Sequence, residues 1–305
     1  MNFISSSRPS GRATLSGWKR PAAWAMVLWF FPAAVLFAKT PAGFAPYQAL
    51  QARLVREGFN HNFVRTLYSN PQAVFDSKGI TAYFLHRESA LDYSRFLSGR
   101  PIRQALAYLD DHADELQNAR KHYGVSGEII TAILLVESRL GTSVGRHPVF
   151  VTLSNMAAVG DEKTRDIVWN TYVKKKASTS KKNFDAWAAR KSKWAFDELK
   201  AYLTYIQTQG LDAFSMRGSY AGALGFAQFV PSSVLTFGVD GDRDGRVNLY
   251  QHRDAIESVA NYLQRHGWKP DLNRKEAFRI LLRYNNSAYY ANTILDVADR
   301  LSRAR

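Results

Sequence analysis

Residues 129–137, Ile-Ile-Thr-Ala-Ile-Leu-Leu-Val-Glu, form a strongly apolar stretch that ends on an acid. Ile129, Ile133 and Glu137 are spaced i, i+4, i+8 and share one helix face. Ser126 is placed to cap the start of this helix, and Gly141 suits its end. Glu137 therefore lies in line with a buried stripe. Desolvation disfavours an ionised carboxylate and raises its pKa, as a general acid working near neutral pH requires. The plain alternative is a solvated Glu closing a helix.

Helical patterning extends through most of the chain. Short helices are predicted over 46–57 and 60–68, and one helix over 101–122 on Ile102, Leu106 and Leu109. Residues 160–193 are polar and basic, with Lys174, Lys175, Lys176, Lys181 and Lys182 around Ala-Ser-Thr-Ser. They predict a solvated, mobile insertion at about 160–185. A long helix is expected from Trp187 to Gln209, stopped by Gly210. Asp254 and Glu257 read as an N-capping pair for a helix to Arg265, stopped by Gly267. Asn273 and Glu276 do the same for a helix reaching Tyr284, and a last helix runs from Ser287 to Ser302. Strand patterns are few and no repeat is present. The expected fold class is mainly α (α+β), a single helical domain over 39–305.

Composition narrows the function. The chain has 305 residues, 46% hydrophobic and 22% charged, an ordinary globular balance. Its formal net charge of +15 suits a polyanionic partner: nucleic acid, an anionic membrane surface or an acidic polymer such as cell wall. There is no cysteine, which excludes disulfides, thiol catalysis, Cys-ligated zinc and a lipidated N-terminal Cys. Residues 1–20 carry Arg8, Arg12, Lys19 and Arg20 and no acid, and residues 21–38 carry no charge. This is the pattern of an export segment, long for a signal peptide and short for a membrane span. Cleavage after Ala38 and retention of 21–38 as a membrane anchor are both open, with cleavage and a periplasmic location favoured. Loss of 1–38 leaves +11, still basic. Export argues against a nucleic-acid partner, and no nucleic-acid motif is present.

Two further segments carry chemistry. Arg217-Gly-Ser-Tyr-Ala-Gly-Ala-Leu-Gly-Phe-Ala-Gln-Phe-Val-Pro-Ser-Ser233 places Gly218, Gly222 and Gly225 where a backbone approaches something closely. Gln228, among Phe226, Phe229 and Val230, needs a polar partner, protein or ligand. Close helix–helix packing is the alternative use of these glycines. Asp240-Gly-Asp-Arg-Asp-Gly-Arg-Val-Asn248 has the spacing of a calcium loop, with acids at positions 1, 3 and 5, Gly245 at 6 and Val247 at 8. Position 12 is Gln251 and not the usual Glu; Asp254 either closes a longer loop, caps the next helix, or does both. A cation-free Asp/Gly turn is the competing reading.

These segments, with Val136-Glu-Ser-Arg-Leu-Gly141, Asp254-Ala-Ile-Glu-Ser-Val-Ala-Asn-Tyr-Leu-Gln-Arg-His-Gly-Trp268 and Arg283-Tyr-Asn-Asn-Ser287, resemble the B-type membrane-bound lytic murein transglycosylases in order and spacing. The similarity covers most of 46–303. It implies a lysozyme-like catalytic core with an added helical region and an EF-hand-like calcium loop at 240–254. By resemblance, Glu137 matches the sole catalytic acid/base, and Ser219, Gln228, Tyr262, Tyr284, Asn285 and Tyr290 match sugar-contacting positions. Asp240, Asp242, Asp244, the Arg246 carbonyl and Asp254 match the Ca2+ site. The implied partner is the glycan strand of peptidoglycan. One departure stands out: the family's Pro-Arg-Arg and aromatic pair after the catalytic helix align here only with Arg190 and Lys191, beyond the basic insertion. For Tyr284 and Tyr290, ordinary core packing is the alternative.

Most glycosidases use two carboxylates. The run from Arg217 to Val239 contains no acid, and the next ones, Asp240 to Asp244, are explained by calcium. One Glu working alone is the expectation, with the substrate's N-acetyl group stabilising the cationic centre. Residue chemistry reaches single-acid glycan cleavage; a 1,6-anhydromuramic product is what the resemblance implies. A hydrolytic muramidase and a non-catalytic wall-binding scaffold are the alternatives, and a fully exposed Glu137 would favour the scaffold.

Overall fold

In the computed structural model, residues 45–86 and 93–305 are described, and the predicted export segment at 1–38 lies outside them. The helix over 129–137 is the organising element. α6 (Gly127–Ser138) starts where the Ser126 hydroxyl accepts the Ile129 N–H, and every residue from Ile129 to Leu135 is buried. A helix that is apolar all round must be covered on all sides. Here α4 (Gly99–Asp111), α5 (Ala113–Tyr123), α12 (His252–Arg265) and α14 (Ala288–Ala304) do so. α13 (Arg274–Tyr284) packs on α14 and begins with the capping box expected from Asn273 and Glu276.

A second group of helices forms around α10 (Lys181–Gln209). Phe184, Ala188, Ser192, Ala195, Leu199, Leu203 and Ile206 recur on its inner face at helical spacing. This stripe packs on α7 (Val149–Ala158) and α11 (Pro231–Phe237). Gly210 ends the helix in the left-handed region, φ 63°, as predicted. α1 (Gln48–Arg56), α2 (His61–Ser69) and α3 (Ser77–Leu85) complete this side, α1 and α3 resting on α7. The only sheet among the described residues is two short strands, β1 (His147–Pro148) antiparallel to β2 (Arg217–Gly218). No helix among the described residues is long and apolar enough to cross a membrane.

Three expectations are corrected. The predicted single helix over 101–122 is two, α4 and α5, broken at His112, because Asp110-Asp111-His112 gives the helix no apolar position to hold it straight. The 160–185 stretch is not a solvated insertion. It folds as α8 (Glu162–Val168), a wide turn over Trp169–Val173, a single turn α9 (Lys174–Lys176), and the first turn of α10, which starts six residues before Trp187. Val168, Val173 and Phe184 are fully buried there, Trp169 stacks on Phe184 at 5.8 Å, and Lys181 bridges Asp166 and Asp185 at 2.8 Å each. The lysines diluted a sparse but sufficient apolar pattern. Finally, Asp254 is not an N-cap. Gln251 holds that position, and Asp254 lies in the first turn of α12.

Candidate active site

Glu137 is the penultimate residue of α6 and is half-buried. The chain reverses directly after it: Arg139, Leu140 and Gly141 all hold left-handed backbone, φ 51°, 58° and 87°. Two non-glycine residues in succession there carry strain, which packed surroundings must overcome. Ser138, fully buried, ties the turn by donating to the Leu134 carbonyl at 3.2 Å and accepting from the Gly141 N–H at 3.0 Å. A Cβ at Gly141 would meet the Phe226 ring at 3.0 Å, so this turn sits against the glycine-rich segment.

Two buried phenols from near the end of the chain face Glu137. Tyr284 closes α13 and donates to the Ala227 carbonyl at 2.6 Å. Tyr290, in the first turn of α14, stacks on it with centroids 6.2 Å apart. Burial pushes both phenol pKa values far up, and the Glu137 charge pushes them further. The Tyr290 hydroxyl makes no hydrogen bond of ordinary geometry, yet Glu137 acts on it as an acceptor. Their approach is therefore longer or more bent than a normal hydrogen bond. Both rings are packed in the core, as the packing alternative has it.

The other expected sugar contacts surround this centre unequally. Tyr262 packs on Tyr284 at 4.9 Å and donates to the Arg283 carbonyl at 2.7 Å; its own pKa is raised by burial. Gln228, left-handed at φ 49°, donates both amide hydrogens to protein, to Val144 at 3.1 Å and Gly225 at 2.8 Å, tethering its loop beyond the Glu137 turn. Its Oε1 remains for another donor. Ser219 accepts from the Ala221 and Ala223 N–H groups at 3.2 and 3.1 Å and so shapes its own turn. Asn285 is the C-cap of α13, beside Tyr284. The glycines serve the protein and not helix–helix contact: a Cβ at Gly218 would lie 2.1 Å from the Ala223 carbonyl, and one at Gly225 2.4 Å from Leu249 Cβ. Sequence reasoning missed Ser138 and Tyr93, whose ring edges Tyr290 at 6.3 Å. Ser138 was marked only by adjoining Glu137, and Tyr93 by nothing.

The acidic loop lies on the far side of this segment. Ligand oxygens of Asp240, Asp242 and Asp244 all fall within 4.8 Å of one another. Two oxygens on opposite sides of a calcium ion are about 5 Å apart, so the trio fits one such ion. The loop backbone is already turned inward, with the Asp244 and Gly245 N–H groups donating to Asp240 at 3.1 and 2.9 Å. Arg246 donates its N–H to Asp244 at 2.8 Å. Asp254 stands outside the trio. It is 1% exposed, and its two oxygens accept from the Gly241 N–H at 2.9 Å and the Asn248 N–H at 2.5 Å. Burial raises its pKa despite those bonds. A cavity of about 600 Å³, lined in part by Val144, Arg217, Asn248 and Tyr250, separates this loop from the small sheet; Glu137 does not line it.

Residues 44–277, more than half of the chain, match the transglycosylase SLT domain. The chain belongs to that family. It is 29% identical over 174 residues to membrane-bound lytic murein transglycosylase B of Escherichia coli (strain K12), a match taking in 57% of this chain and 40% of that protein, so less than half of the relative's length is spanned. Among solved structures, soluble lytic transglycosylase SltB1 from Pseudomonas aeruginosa superposes with a TM-score of 0.68 at 24% identity, covering 84% of this chain and 98% of that one. Escherichia coli lytic transglycosylase Slt35 in complex with calcium gives a TM-score of 0.66 at 21% identity, covering 88% and 95%. At such identities the structural likeness establishes the fold of this SLT domain, which is mainly helical and lysozyme-like as expected.

Proposed function

We propose that the chain is a lytic murein transglycosylase that cleaves the β-1,4 bond between N-acetylmuramic acid and N-acetylglucosamine in peptidoglycan, with Glu137 as sole acid/base. The observation that carries the reading is the half-buried Glu137 set against the buried Tyr284 and Tyr290 hydroxyls. Glu137 gives its proton to the glycosidic oxygen as the C1–O bond breaks, and the leaving sugar departs as an alcohol. The substrate's N-acetyl group stabilises the cationic C1. The Glu137 carboxylate then takes the proton of the muramyl C6 hydroxyl as that oxygen closes on C1, giving the 1,6-anhydro sugar and restoring the acid. Tyr290 steadies the carboxylate, and Gln228, Ser219, Tyr262 and Asn285 hold the strand.

Asp240, Asp242, Asp244 and the Arg246 carbonyl hold Ca2+ in this proposal, with Asp254 fastening the loop. The ion neutralises clustered carboxylates and takes no part in the chemistry. Residues 1–38 direct the chain to the periplasm, cleaved in preference to being retained at the membrane.

Digestion of purified murein sacculi tests the function. Wild type should release muropeptides one water lighter than hydrolytic products, and Glu137→Gln should lose at least about 100-fold in rate while keeping its fold. Products carrying the extra water would make the chain a hydrolytic muramidase. A Glu137→Gln protein retaining several per cent of activity would sink the single-acid mechanism. The scaffold reading loses its support because Glu137 is half-buried and not fully exposed.

A further inference from the structure

The cavity of about 600 Å³ between the acidic loop and the small sheet is not lined by Glu137, and its hydrogen-bonding character is one-sided. Gln209, which closes α10, spends its Oε1 on the Val247 N–H at 3.2 Å. Asn248 spends its Oδ1 on the Tyr250 N–H at 3.1 Å. Each carboxamide is left with its NH2 unspent, which makes it a donor here. Arg217 and Arg246 also line the cavity, and neither guanidinium has a hydrogen bond or ion pair among the described residues. The acid in the lining, Asp244, is taken up by its own loop: it accepts the Arg246 N–H at 2.8 Å and lies with Asp240 and Asp242. Tyr250 is fixed by its hydroxyl, which donates to the Arg217 carbonyl at 2.5 Å, and its ring joins Leu211 and Val247 as the apolar part of the lining.

Two arginines against one acid leave a single positive charge, and the remaining donors are neutral. Such a lining suits a ligand with one carboxylate, further carbonyl or hydroxyl acceptors, and an apolar face. The volume is that of a small-ligand site. An N-acetylated sugar acid has this composition. In peptidoglycan the muramic residue becomes one when its peptide stem is removed: the lactyl group is an amide while the stem is attached and a free carboxylate afterwards. A stem brings several carboxylates of its own, more than this lining balances. We propose that the cavity is a second glycan site, separate from Glu137, for muramic residues that have lost their stems. Arg217 and Arg246 take the lactyl carboxylate, Gln209 and Asn248 donate to the acetamido oxygen, and the sugar ring lies along Tyr250. The inference rests on the proposed function for the source of this ligand, and it requires an amidase-type reaction to have acted on the glycan first.

Calorimetric titration of the full chain with N-acetylmuramic acid reads the site. The methyl ester of that acid keeps the sugar and removes the charge, and N-acetylmuramyl pentapeptide supplies the stem-bearing form. Wild type should bind the free acid at least about tenfold more tightly than either. Gln209→Glu keeps an oxygen for the Val247 N–H and replaces the NH2 with a second carboxylate oxygen, so affinity for the acid should fall about tenfold or more. Arg217→Gln, at an exposed position, removes a guanidinium without a protein partner among the described residues and should weaken binding by about as much. In both variants kcat and KM on stem-bearing strands, which react at Glu137, should stay within about twofold. The site is overturned if wild type does not bind the free acid, or if the ester, the pentapeptide or acetate binds as tightly. It is also overturned if either variant binds as wild type does, or if KM on stem-bearing strands rises along with the loss of binding. Digestion of sacculi keeps the two readings apart. A wild type that binds the acid without cleaving sacculi fails the proposed function and keeps the site; one that cleaves without binding loses the site alone.

Discussion

Asp254→Ala separates two roles for one residue. The resemblance makes Asp254 a calcium ligand; the structure shows it stitching both ends of the loop through the Gly241 and Asn248 N–H groups. Hydrogen bonds to charged groups are worth about 1.5–3 kcal/mol each. Burial raises the Asp254 pKa, so desolvation outweighs these bonds for the charged form, and what Asp254→Ala costs is the two N–H groups left without an acceptor, about 3 kcal/mol for the pair. For a domain of this size 1 kcal/mol moves Tm by roughly 2–4 °C, so Asp254→Ala should lower Tm by about 6–12 °C in excess chelator. Asp254→Asn, keeping one acceptor and turning a donor toward an N–H, should recover less than half. Asp242→Ala should do the opposite. It should leave Tm in chelator within about 2 °C of wild type, because removing one of three crowded acids relieves repulsion. It should also abolish the gain from calcium, which at 100 times the dissociation constant is about 2.7 kcal/mol. Differential scanning calorimetry in calcium and in chelator reads all four numbers. An Asp254→Ala protein that melts with wild type in chelator and differs only in calcium would show that the stitching contributes nothing and that Asp254 is a ligand alone.

Other outcomes follow from single contacts. Tyr290→Phe removes a buried hydroxyl that lacks an ordinary hydrogen bond, so stability should hold or rise slightly while kcat on sacculi falls about tenfold or more; unchanged kcat would remove Tyr290 from the site. Glu198, buried on α10, accepts from the Ser232 N–H and hydroxyl at 2.9 and 2.8 Å, and burial raises its pKa. A raised folded-state pKa favours the fold below the ordinary carboxyl value of about 4.3 and loses that favour as pH climbs through the raised value, so the Tm difference should shift toward Glu198→Gln as pH rises above about 4.3. Neutralising Lys174, Lys175, Lys176 and Lys182, all exposed, should weaken binding to sacculi at low salt and leave turnover on a short neutral glycan unchanged. Lys181 is left alone because Asp166 and Asp185 already hold it.

What the sequence made legible and what it hid divide along a physical line. Local signals came through where one residue type fixes one backbone feature. The Ser126 cap, the Gly210 stop and the Asn273–Glu276 box are in place, and the buried run of α6 presents Glu137 at its end. The same logic failed where lysines outnumbered apolar residues: Val168, Val173 and Phe184 are enough to bury the 160–185 stretch once Trp169 and Trp187 stack on Phe184, but no window average reveals that. Burial is a property of the partner surface as well as of the segment. The candidate site shows this most sharply. Tyr290 and Tyr284 look like any core tyrosines in sequence, and their rings are indeed core. What separates them is that Tyr284 ends its hydroxyl on the Ala227 carbonyl while Tyr290 does not end on a comparable partner. A buried phenol without an ordinary acceptor, within reach of a half-buried carboxylate on another helix, is a long-range coincidence that a local pattern does not encode. A buried hydroxyl without an ordinary bond costs stability, so a Tyr290→Phe protein that melts no lower and turns over more slowly would assign this hydroxyl to Glu137 and not to the fold.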